Sequence, residues 1–422
     1  MNTPPISGLD PCVHCGFCLQ TCPTYLATGD ESDSPRGRIV LMRSLARGSL
    51  ATTEPTLAFH LDRCLGCLAC EPACPSDVRY GTALEATRAL IAQSRPVPLV
   101  ARMVNTVMAD QRLRRPVLGL ARLVRPAAGV ITGKSRLAFA FGMLGATRRR
   151  RQWGQRGQWG HGRSASGSSA PPASPAPSVT LFSGCIMEGL FAHVHEATHR
   201  TLSANGYRST RVPHQGCCGA LHAHTGEHDK AVDLARRNVA AFADCPESVI
   251  AVNSAGCGAM LKAYGRLLAG DPLEPEAVAL SQRVRDVSEL LASRETRRGH
   301  TLALKVAYDP PCHLLHAQRI ADAPPALLAS IPGVEMVQHR DAAMCCGSAG
   351  SYSLTQVGLS RTVLEDKVNA LIAADPDVVA TGNPGCIMQI GAGLAAVGSS
   401  IPVVHPIEIL DWSYAMAGFY DE

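Results

Sequence analysis

The chain of 422 residues has no run of 18 consecutive apolar residues, which is about the length that a transmembrane helix needs. Its first residues, Met1–Gly8, lack both the basic and the apolar segment of a secretory signal. No G-x-G-x-x-G motif follows a predicted strand, so we expect no dinucleotide or flavin site on this chain. These absences predict a cytosolic protein, in which abundant cysteine indicates metal or redox chemistry rather than disulfide bonds.

Eight of the seventeen cysteines form two copies of C-x2-C-x2-C-x3-C-P, the signature of bacterial ferredoxins with cubane [4Fe–4S] clusters. Three thiolates of each copy surround one cluster, and the fourth serves the other cluster. The predicted ligand sets are Cys12, Cys15, Cys18 and Cys74 for the first cluster, and Cys22, Cys64, Cys67 and Cys70 for the second. A zinc site or disulfides are the alternatives, but two complete copies, each with its proline, favour the clusters.

The two copies are separated by an insert of 41 residues, longer than a compact two-cluster ferredoxin needs. Within it, residues 35–46 carry apolar side chains at helical spacing. We therefore predict a mainly helical ferredoxin domain with two clusters over residues 1–90.

Residues 88–163 contain sixteen Lys or Arg and one acid, Asp110, whereas the whole chain has a net charge of only +5. Apolar residues lie between the arginines, as in basic amphipathic segments that bind a membrane surface or an acidic partner. The alternative is helices packed on a neighbouring domain with their arginines facing water. No nucleic-acid recognition motif accompanies the charge, so nucleic acid is not expected as a partner. We assign residues 91–163 to a basic helical segment and residues 164–178, rich in Ser, Ala and Pro, to a flexible linker.

Beyond the linker, a pattern of four cysteines occurs twice, with gaps of 32 and 40 residues in the first copy and 33 and 41 in the second. Short apolar strands alternate with helical stretches, which predicts an α/β unit with a parallel sheet in each copy, residues 179–300 and 301–422. The cysteines fall at predicted strand ends, where such sheets place their ligands. They are Cys185, Cys217, Cys218 and Cys257 in the first repeat, and Cys312, Cys345, Cys346 and Cys386 in the second.

Each repeat has adjacent cysteines followed by a glycine, Gly219 or Gly347. Glycine permits a turn with positive φ, which lets both thiols approach one metal assembly. This arrangement predicts two pseudo-symmetric cofactor sites of four thiols, and only Cys245 is left outside the patterns. Buried structural cysteine is the alternative.

The repeats resemble the cysteine-rich CCG domains of the heterodisulfide reductase B-subunit type, in which each motif ends in C-x2-C. Here Ser254 and Asn383 stand three positions before Cys257 and Cys386, so one thiolate per site is missing. The five-cysteine noncubane cluster of that family therefore does not carry over. Four thiolates either hold an additional iron–sulfur cluster or bind nothing.

The whole chain resembles the iron–sulfur subunits of glycolate oxidase (glycolate dehydrogenase). The motifs that carry this resemblance are Cys12–Cys18, Cys22–Tyr25, Pro35–Arg38, Asp62–Leu65, Gly216–Ala220, Ser254–Ala259, His316–Gln318 and Met344–Gly350. The resemblance implies that an FAD-containing partner oxidises glycolate, or a related 2-hydroxy acid such as lactate, while this chain passes the electrons toward quinone. It implies no catalytic residue here, and a place in the cytoplasm or on the inner face of the cell membrane.

Two other functions stay open. One is a catalytic CCG subunit of the heterodisulfide-reductase or lactate-utilisation kind, and the other is a platform that only holds the flavoprotein. His195–His199 matches H-E-x-x-H, but a zinc protease also needs a third ligand and a substrate cleft, so we expect a helix with two solvent-facing histidines instead. Gly133-Lys-Ser135 ends like a P-loop, yet Ala128 replaces its first glycine. Four histidines near Cys217 either face solvent or tune that site: His214, His222, His224 and His228.

Overall fold

The computed structural model describes residues 4–126, 128, 133, 135–148 and 178–420. The predicted linker lies outside these ranges except for Ser178, and the Arg148–Arg151 block lies outside them except for Arg148. None of the described helices is long and apolar enough to span a membrane.

The N-terminal part of the chain is built from short helices. They are α1 (Pro23–Thr28), α2 (Pro35–Ala46), α3 (Pro55–Asp62) and α4 (Tyr80–Ser94), with a 3-10 turn at Glu31–Asp33. The first three each begin with a proline, whose fixed φ and missing N–H suit the first helical position. Their apolar faces meet around Met42, Leu57 and Leu61, which are fully buried. The prediction of a mainly helical ferredoxin-like region is confirmed.

The basic segment forms three helices, α5 (Leu99–Ala109), α6 (Gln111–Val124) and α7 (Arg136–Ala146). Helix α6 packs on the first repeat and α7 on the second. The predicted packing on a neighbouring domain is therefore observed. The arginines differ from that expectation, because Arg114, Arg122 and Arg125 bond to oxygen atoms of the protein instead of facing only water.

The first repeat contains a four-stranded parallel sheet. Its strands are β1 (Ser178–Leu181), β2 (Arg208–Arg211), β3 (Val249–Val252) and β4 (Val284–Asp286), in the order β2-β1-β3-β4. Val179 pairs with Ser209 on one side and with Val249 on the other. The helices are α8 (Ile186–Leu190), α9 (Ala192–Ala204), α10 (Ala220–Thr225), α11 (His228–Ala241), α12 (Ala255–Lys262), α13 (Tyr264–Leu267), α14 (Glu274–Arg283) and α15 (Val287–Ala292).

The second repeat has the same topology. Its strands are β5 (Leu304–Tyr308), β6 (Val334–Val337), β7 (Val378–Ala380) and β8 (Val403–Val404), in the order β6-β5-β7-β8 and all parallel. The helices are a π-helical turn (His313–Ala317), α16 (Ala323–Ala329), α17 (Tyr352–Thr355), α18 (Val357–Ala373), α19 (Pro384–Ala396) and α20 (Pro406–Met416). The predicted duplication of an α/β cysteine-rich unit is confirmed.

The two repeats share one hydrophobic core, which includes Val179 of β1 and Val306 of β5. At its edge, Arg200 of α9 forms two bonds with the Asp411 carboxylate of α20, at 2.6 and 2.9 Å. At the carboxyl ends of the sheets, the Ala255 amide donates to Gly382 O at 3.1 Å. The two repeats are thus joined where their cysteines lie.

Candidate iron–sulfur centres

The first ferredoxin cysteine set lines one cavity near the surface. Cys12, Cys15 and Cys18 come from the first motif, and Cys74 comes from the second. Three cysteines of the first motif and the fourth cysteine of the second motif thus lie together, as the spacing predicts. Four thiols are the donor set of a [4Fe–4S] cluster. Their role as ligands remains a prediction.

Two arginines hold the loop of the first set by its carbonyl groups. The Arg43 guanidinium donates to the carbonyls of Leu9 (2.7 Å) and Cys12 (3.2 Å), and Arg36 donates to the carbonyl of His14 (3.2 Å). Phe17 is 67% exposed in this loop. The loop is thus fixed from inside while two apolar side chains, Phe17 and Val13, are exposed at the surface.

The second set, Cys22, Cys64, Cys67 and Cys70, is more enclosed. The Gly66 amide and the Tyr80 hydroxyl both donate to the Cys64 sulfur, at 3.4 and 3.5 Å. Burial raises the pKa of the Cys67 and Cys70 thiols well above the usual value, and neighbouring thiols add to this. At Cys64 burial is outweighed by the positive charges of Arg38 and Arg88, so its pKa is lowered. Cys70 also lines the cavity of the first set, so the two sets adjoin.

Arg38 is held beside the second set by a buried ionic cluster. Its guanidinium donates to His60 O at 2.7 Å, to Thr24 Oγ1 at 3.0 Å and to Asp33 Oδ1 at 3.3 Å. Asp33 also pairs with Arg63 at 2.8 Å. Asp30, Asp33 and His60 are close enough to surround a cation, but the arginines already neutralise the Asp33 carboxylate. We interpret the cluster as a support for the fixed positive charge near Cys22 and Cys64.

This support was not foreseen from the sequence. In the sequence, Pro35–Arg38 was noted only as part of the family resemblance. No local pattern indicated that Arg38, 26 residues before Cys64, would be buried. The available hint was that the insert between Cys22 and Cys64 holds five acidic residues and five arginines in equal number.

In the first repeat, the cysteines gather at the carboxyl ends of the strands, as predicted. Cys185 follows β1, the pair Cys217-Cys218 follows β2, and Cys257 lies in the first turn of α12 after β3. The thiols form a chain of contacts from Cys185 through the adjacent pair to Cys257. Hydrogen bonds from Cys185 and Cys218 lower the pKa of Cys217 well below its usual value.

The second repeat reproduces this arrangement. Cys312 follows β5, the pair Cys345-Cys346 follows β6, and Cys386 lies in the first turn of α19 after β7. Contacts again run from Cys312 through the pair to Cys386. Three of these cysteines are buried, and Cys312 is partly exposed. Each repeat thus offers four thiols to one site, while Cys245 bonds to Phe242 O and joins neither.

Glycine is required after each cysteine pair. Gly219 has φ 89° and Gly347 has φ 81°, so the predicted turn with positive φ is present in both repeats. A Cβ atom on Gly347 would lie 2.4 Å from Ser360 O, whereas one on Gly219 would lie 3.3 Å from Ala231 O. The second repeat is therefore the more tightly packed at this turn.

The positions of the missing thiolates differ between the repeats. Asn383 donates to the Cys386 sulfur at 3.4 Å and accepts from the Gly256 amide of the first repeat at 3.3 Å. Ser254 is buried. An amide is a poor substitute for a soft thiolate ligand, but it orients the sulfur that remains. Asn383 thus links the two sites.

The second ferredoxin set lies against the second repeat. Leu65, Cys345, Tyr352 and Val363 form a buried cluster, and Cys67 and Cys312 pack at its edge. The Tyr352 hydroxyl donates to Arg63 O at 2.8 Å across this interface. After burial, the charge of Cys312 is the largest cause of the raised pKa of Cys67, which reflects their proximity. Cys185 and Cys217 of the first repeat instead pack with Met108 and Ala109 of α5.

The histidine motifs have structural partners. His195 is buried, with Nε2 at 2.9 Å from Ser183 O and Nδ1 at 3.0 Å from the Asn253 amide, and burial lowers its pKa to about 4. His199 is exposed and contacts the Ser209 hydroxyl, so the pair of the H-E-x-x-H motif is divided. The expectation of solvent-facing histidines is therefore wrong for His195.

Among the four histidines near Cys217, His214 is exposed but His222 is buried beside the thiol. The ring of His224 lies 5.3 Å from that of His313, whose Nδ1 is 3.5 Å from the Cys312 sulfur. Both rings line a cleft of about 180 Å³ between the ferredoxin-like region and the two repeats. Of the P-loop-like motif, Lys134 lies outside the described residues, and Ser135 caps α7 by accepting from the Ala138 amide.

Comparison with known proteins supports the architecture. A 4Fe-4S dicluster domain family matches residues 11–78, and a cysteine-rich domain family matches residues 179–262 and 306–391. The probable glycolate oxidase iron-sulfur subunit of Bacillus subtilis is 34% identical over 94% of this chain and 92% of its own length. The glycolate oxidase iron-sulfur subunit of Escherichia coli is 32% identical over 96% and 94%. Lactate utilization protein A of Geobacillus kaustophilus is 29% identical over 55% of this chain and 98% of its own length.

Proposed function

The chain belongs to the family of glycolate oxidase iron–sulfur subunits, and we propose that it is the electron-transfer subunit of a flavoprotein 2-hydroxy acid dehydrogenase. The preferred substrate of the complex is glycolate. Its oxidation to glyoxylate takes place on an FAD-containing partner, and the electrons leave toward quinone. The chain's place is in the cytoplasm or on the inner face of the cell membrane.

The observation that supports this proposal is that the cysteine sets adjoin one another in a series through the structure. The first set opens to the surface beside Phe17, and Cys70 of the second set borders its cavity. The second set in turn meets the second repeat where Cys67 and Cys312 pack together. Bound by the two ferredoxin sets, [4Fe–4S] clusters would supply one-electron carriers.

The chain's own residues have positioning roles in this proposal. Arg38 and Arg88 place two positive charges near Cys64. Positive charge and hydrogen bonds to cysteine sulfur favour the more negative, reduced state of a centre. Tyr352 fixes the interface between the second set and the second repeat through its bond to Arg63 O. These features favour entry of electrons at the exposed first set and passage inward.

The test is the assembled complex under anaerobic conditions. Iron and acid-labile sulfide are first counted on the purified chain, where about eight iron atoms correspond to two [4Fe–4S] clusters and a larger number adds occupied repeat sites. Glycolate and the flavoprotein are then added, and the visible absorbance of the iron–sulfur chain is followed. Bleaching that needs both components supports electron transfer from the partner. A chain with eight iron atoms that stays oxidised contradicts the proposal.

The cleft between the modules favours one alternative function, a catalytic subunit of the lactate-utilisation or heterodisulfide-reductase kind. It is lined by charged residues of both signs, Arg88 and Arg266 with Glu71 and Glu85. A small polar substrate bound there would lie next to His313, whose Nδ1 is 3.5 Å from the Cys312 sulfur. Cys312→Ser decides between the two functions. If the 2-hydroxy acid no longer reduces the ferredoxin sets although a chemical reductant still does, the repeats perform chemistry. If it still reduces them and only delivery of electrons to quinone stops, the second repeat carries electrons. Full activity instead makes the repeats a platform for the flavoprotein.

A further inference from the structure

Helix α6 has an inward face that is fixed to the first repeat. Arg114 is 3% exposed and donates to Glu188 Oε2 and to Met108 O, both at 2.9 Å. One turn later Leu118 packs over Gly189, where an added Cβ would lie 2.0 Å from a Leu118 methyl group. Arg122 donates to Glu188 O at 2.9 Å. These contacts determine which side of the helix faces away from the protein.

The outward face of α6 is apolar. Leu113, Val117, Leu120 and Val124 follow one another at intervals of four, three and four residues, so they share one side of the helix. They are 43%, 47%, 62% and 37% exposed, and Leu123 beside them is 79% exposed. We call these five residues the α6 apolar face. Single exposed leucines are ordinary on protein surfaces, but five on one short helix are not.

Positive charge accompanies this face on the same helix, at its edge at Arg112 and on the far side at Arg115. Arg112 and Arg115 are exposed, and their side chains have no hydrogen-bond or ion-pair partner among the residues that the structure describes. Between residues 99 and 148 the sequence has nine Lys or Arg and one acid, Asp110. Helix α5, which contacts α6, also exposes Leu99 and Met103, at 61% and 60%.

We propose that the α6 apolar face docks this chain onto an anionic lipid surface. Apolar side chains next to unpaired arginines match the boundary between acyl chains and negatively charged headgroups. A purely acidic protein partner would satisfy the arginines but leave the five apolar side chains in water. The proposal rests on the proposed function, since a quinone acceptor lies in a membrane. It adds which residues make the contact.

The test is sedimentation of the anaerobically purified full chain with phospholipid vesicles. The wild-type chain binds vesicles of phosphatidylcholine with phosphatidylglycerol and binds pure phosphatidylcholine much more weakly. Leu120→Glu with Leu123→Glu lowers binding by at least about a hundredfold, because two large apolar side chains no longer enter the interface. Arg112→Gln with Arg115→Gln lowers vesicle binding by roughly twentyfold, and a higher salt concentration also weakens the binding of the wild-type chain.

Two controls keep the result specific. Ile372→Glu changes an exposed apolar residue outside the α6 apolar face, 41% exposed on α18, and leaves vesicle binding unchanged. Replacing Arg148–Arg151 by glutamine tests the neighbouring arginine block, three of whose residues lie outside the described part of the chain. If that variant loses binding while Leu120→Glu with Leu123→Glu retains it, the α6 apolar face is not the docking site.

Three further outcomes overturn the proposal. They are equal binding to neutral and anionic vesicles, no vesicle binding at all, and binding that begins only after residues 149–177 are deleted, which would mean that this segment covers the face. Vesicle binding is measured without glycolate or flavoprotein. Its failure is therefore distinguishable from failure of the electron-transfer function, which is measured in solution without lipid.

Discussion

The two cysteine-rich repeats have the same strand order and the same four thiols, but they have different neighbours. The second repeat meets the second ferredoxin set through Leu65, Tyr352 and Cys312. The first repeat meets α5 at Cys185 and Cys217. Duplication has thus preserved the framework that gathers the thiols, while the elements packed at the strand ends differ. Both repeats contact the ferredoxin-like region, the first where Arg88 donates to His224 O at 3.0 Å, but it is the thiols of the second repeat that pack against the second ferredoxin set.

The sharpest way to break this comparison is to remove the cysteine pair of each repeat in turn. Cys345→Ser with Cys346→Ser should lower electron transfer through the complex by at least about a hundredfold, a change of roughly 2.7 kcal/mol in the barrier. Cys217→Ser with Cys218→Ser should lower it by less than about tenfold. Steady-state reduction of a quinone analogue by glycolate measures both. Equal losses would mean that the two repeats contribute alike.

The repeats also differ in the residue that caps the helix after the last strand. Asp286 is the last residue of β4 and His405 follows β8, and each forms a capping box with a glutamate. Burial raises the pKa of Asp286 to about 6 and lowers the pKa of His405 to about 3. The contributions of these two capping residues to stability should therefore change with pH in opposite directions.

For His405, the unfolded chain takes up a proton below about pH 6.5, whereas the folded chain does so only near pH 3. Stability is therefore lost as the pH falls through this window, on the order of 4 kcal/mol in full. His405→Asn keeps a capping group and should flatten this loss. Denaturant unfolding at pH 7, 5 and 4 compares the slopes of the two proteins. A variant that loses stability on acidification as steeply as the wild type contradicts the assignment.

For Asp286 the sign is reversed, because the folded chain holds its proton up to about pH 6. The contribution of Asp286 to the free energy of unfolding is fully present below about pH 4. It declines, by about 3 kcal/mol in all, as the pH rises through about 6. Asp286→Asn should remove that decline, and its stability relative to the wild type should increase with pH between 4 and 7. The same unfolding series measures it, and a constant difference across the range speaks against a titrating Asp286.

The turns after the cysteine pairs offer a smaller, matched test. Gly347→Ala should destabilise the fold by about 3 kcal/mol, because positive φ is combined with a Cβ that would lie 2.4 Å from Ser360 O. Gly219→Ala carries the same backbone cost with a milder contact at 3.3 Å, so about 1 kcal/mol is expected. Thermal unfolding of both variants should rank them in this order, and the reverse order would contradict the packing difference.

The smallest expected effect concerns the interface itself. Tyr352→Phe removes the hydrogen bond to Arg63 O and should cost about 1 kcal/mol, with faster amide exchange around Leu65. Tyr264→Phe is the matched control, since it removes a bond to Cys218 O inside the first repeat. Because the same hydroxyl also accepts from the Asn238 amide at 2.9 Å, it should cost more than Tyr352→Phe, but without affecting exchange at Leu65. If both variants change that exchange equally, Tyr352 has no particular role at the interface.

Much of the candidate site was accessible from local spacing. Cys12, Cys15 and Cys18 lie within seven residues, so the loop that brings them together is encoded where they stand. The repeated intervals after Cys185 and Cys312 predicted two like sheets with thiols at the strand ends, and the observed strand orders agree. Positive φ at Gly219 and Gly347 was equally predictable, because a tight turn directly after two adjacent cysteines favours glycine.

Other features depend on distant contacts. Tyr352 and Arg63 are 289 residues apart in the chain, and neither belongs to a cysteine motif. The orientation of α6 was left open by the sequence, because periodicity shows that a helix has unlike faces but not which face meets the protein. A polar contact decided it, since the buried pair of Arg114 with Glu188 turns the apolar side outward.

The sequence by itself determined the eight ferredoxin cysteines, the duplicated repeats and the helical character of the first region, because each depends on residues close together in the chain. Only the tertiary structure decided that the second ferredoxin set adjoins the second repeat, that Arg38 is buried beside it, and that α6 exposes its leucines. The physical reason is that burial and charge pairing are properties of surfaces that meet after folding. Spacing along the chain fixes local geometry but not which surfaces those are.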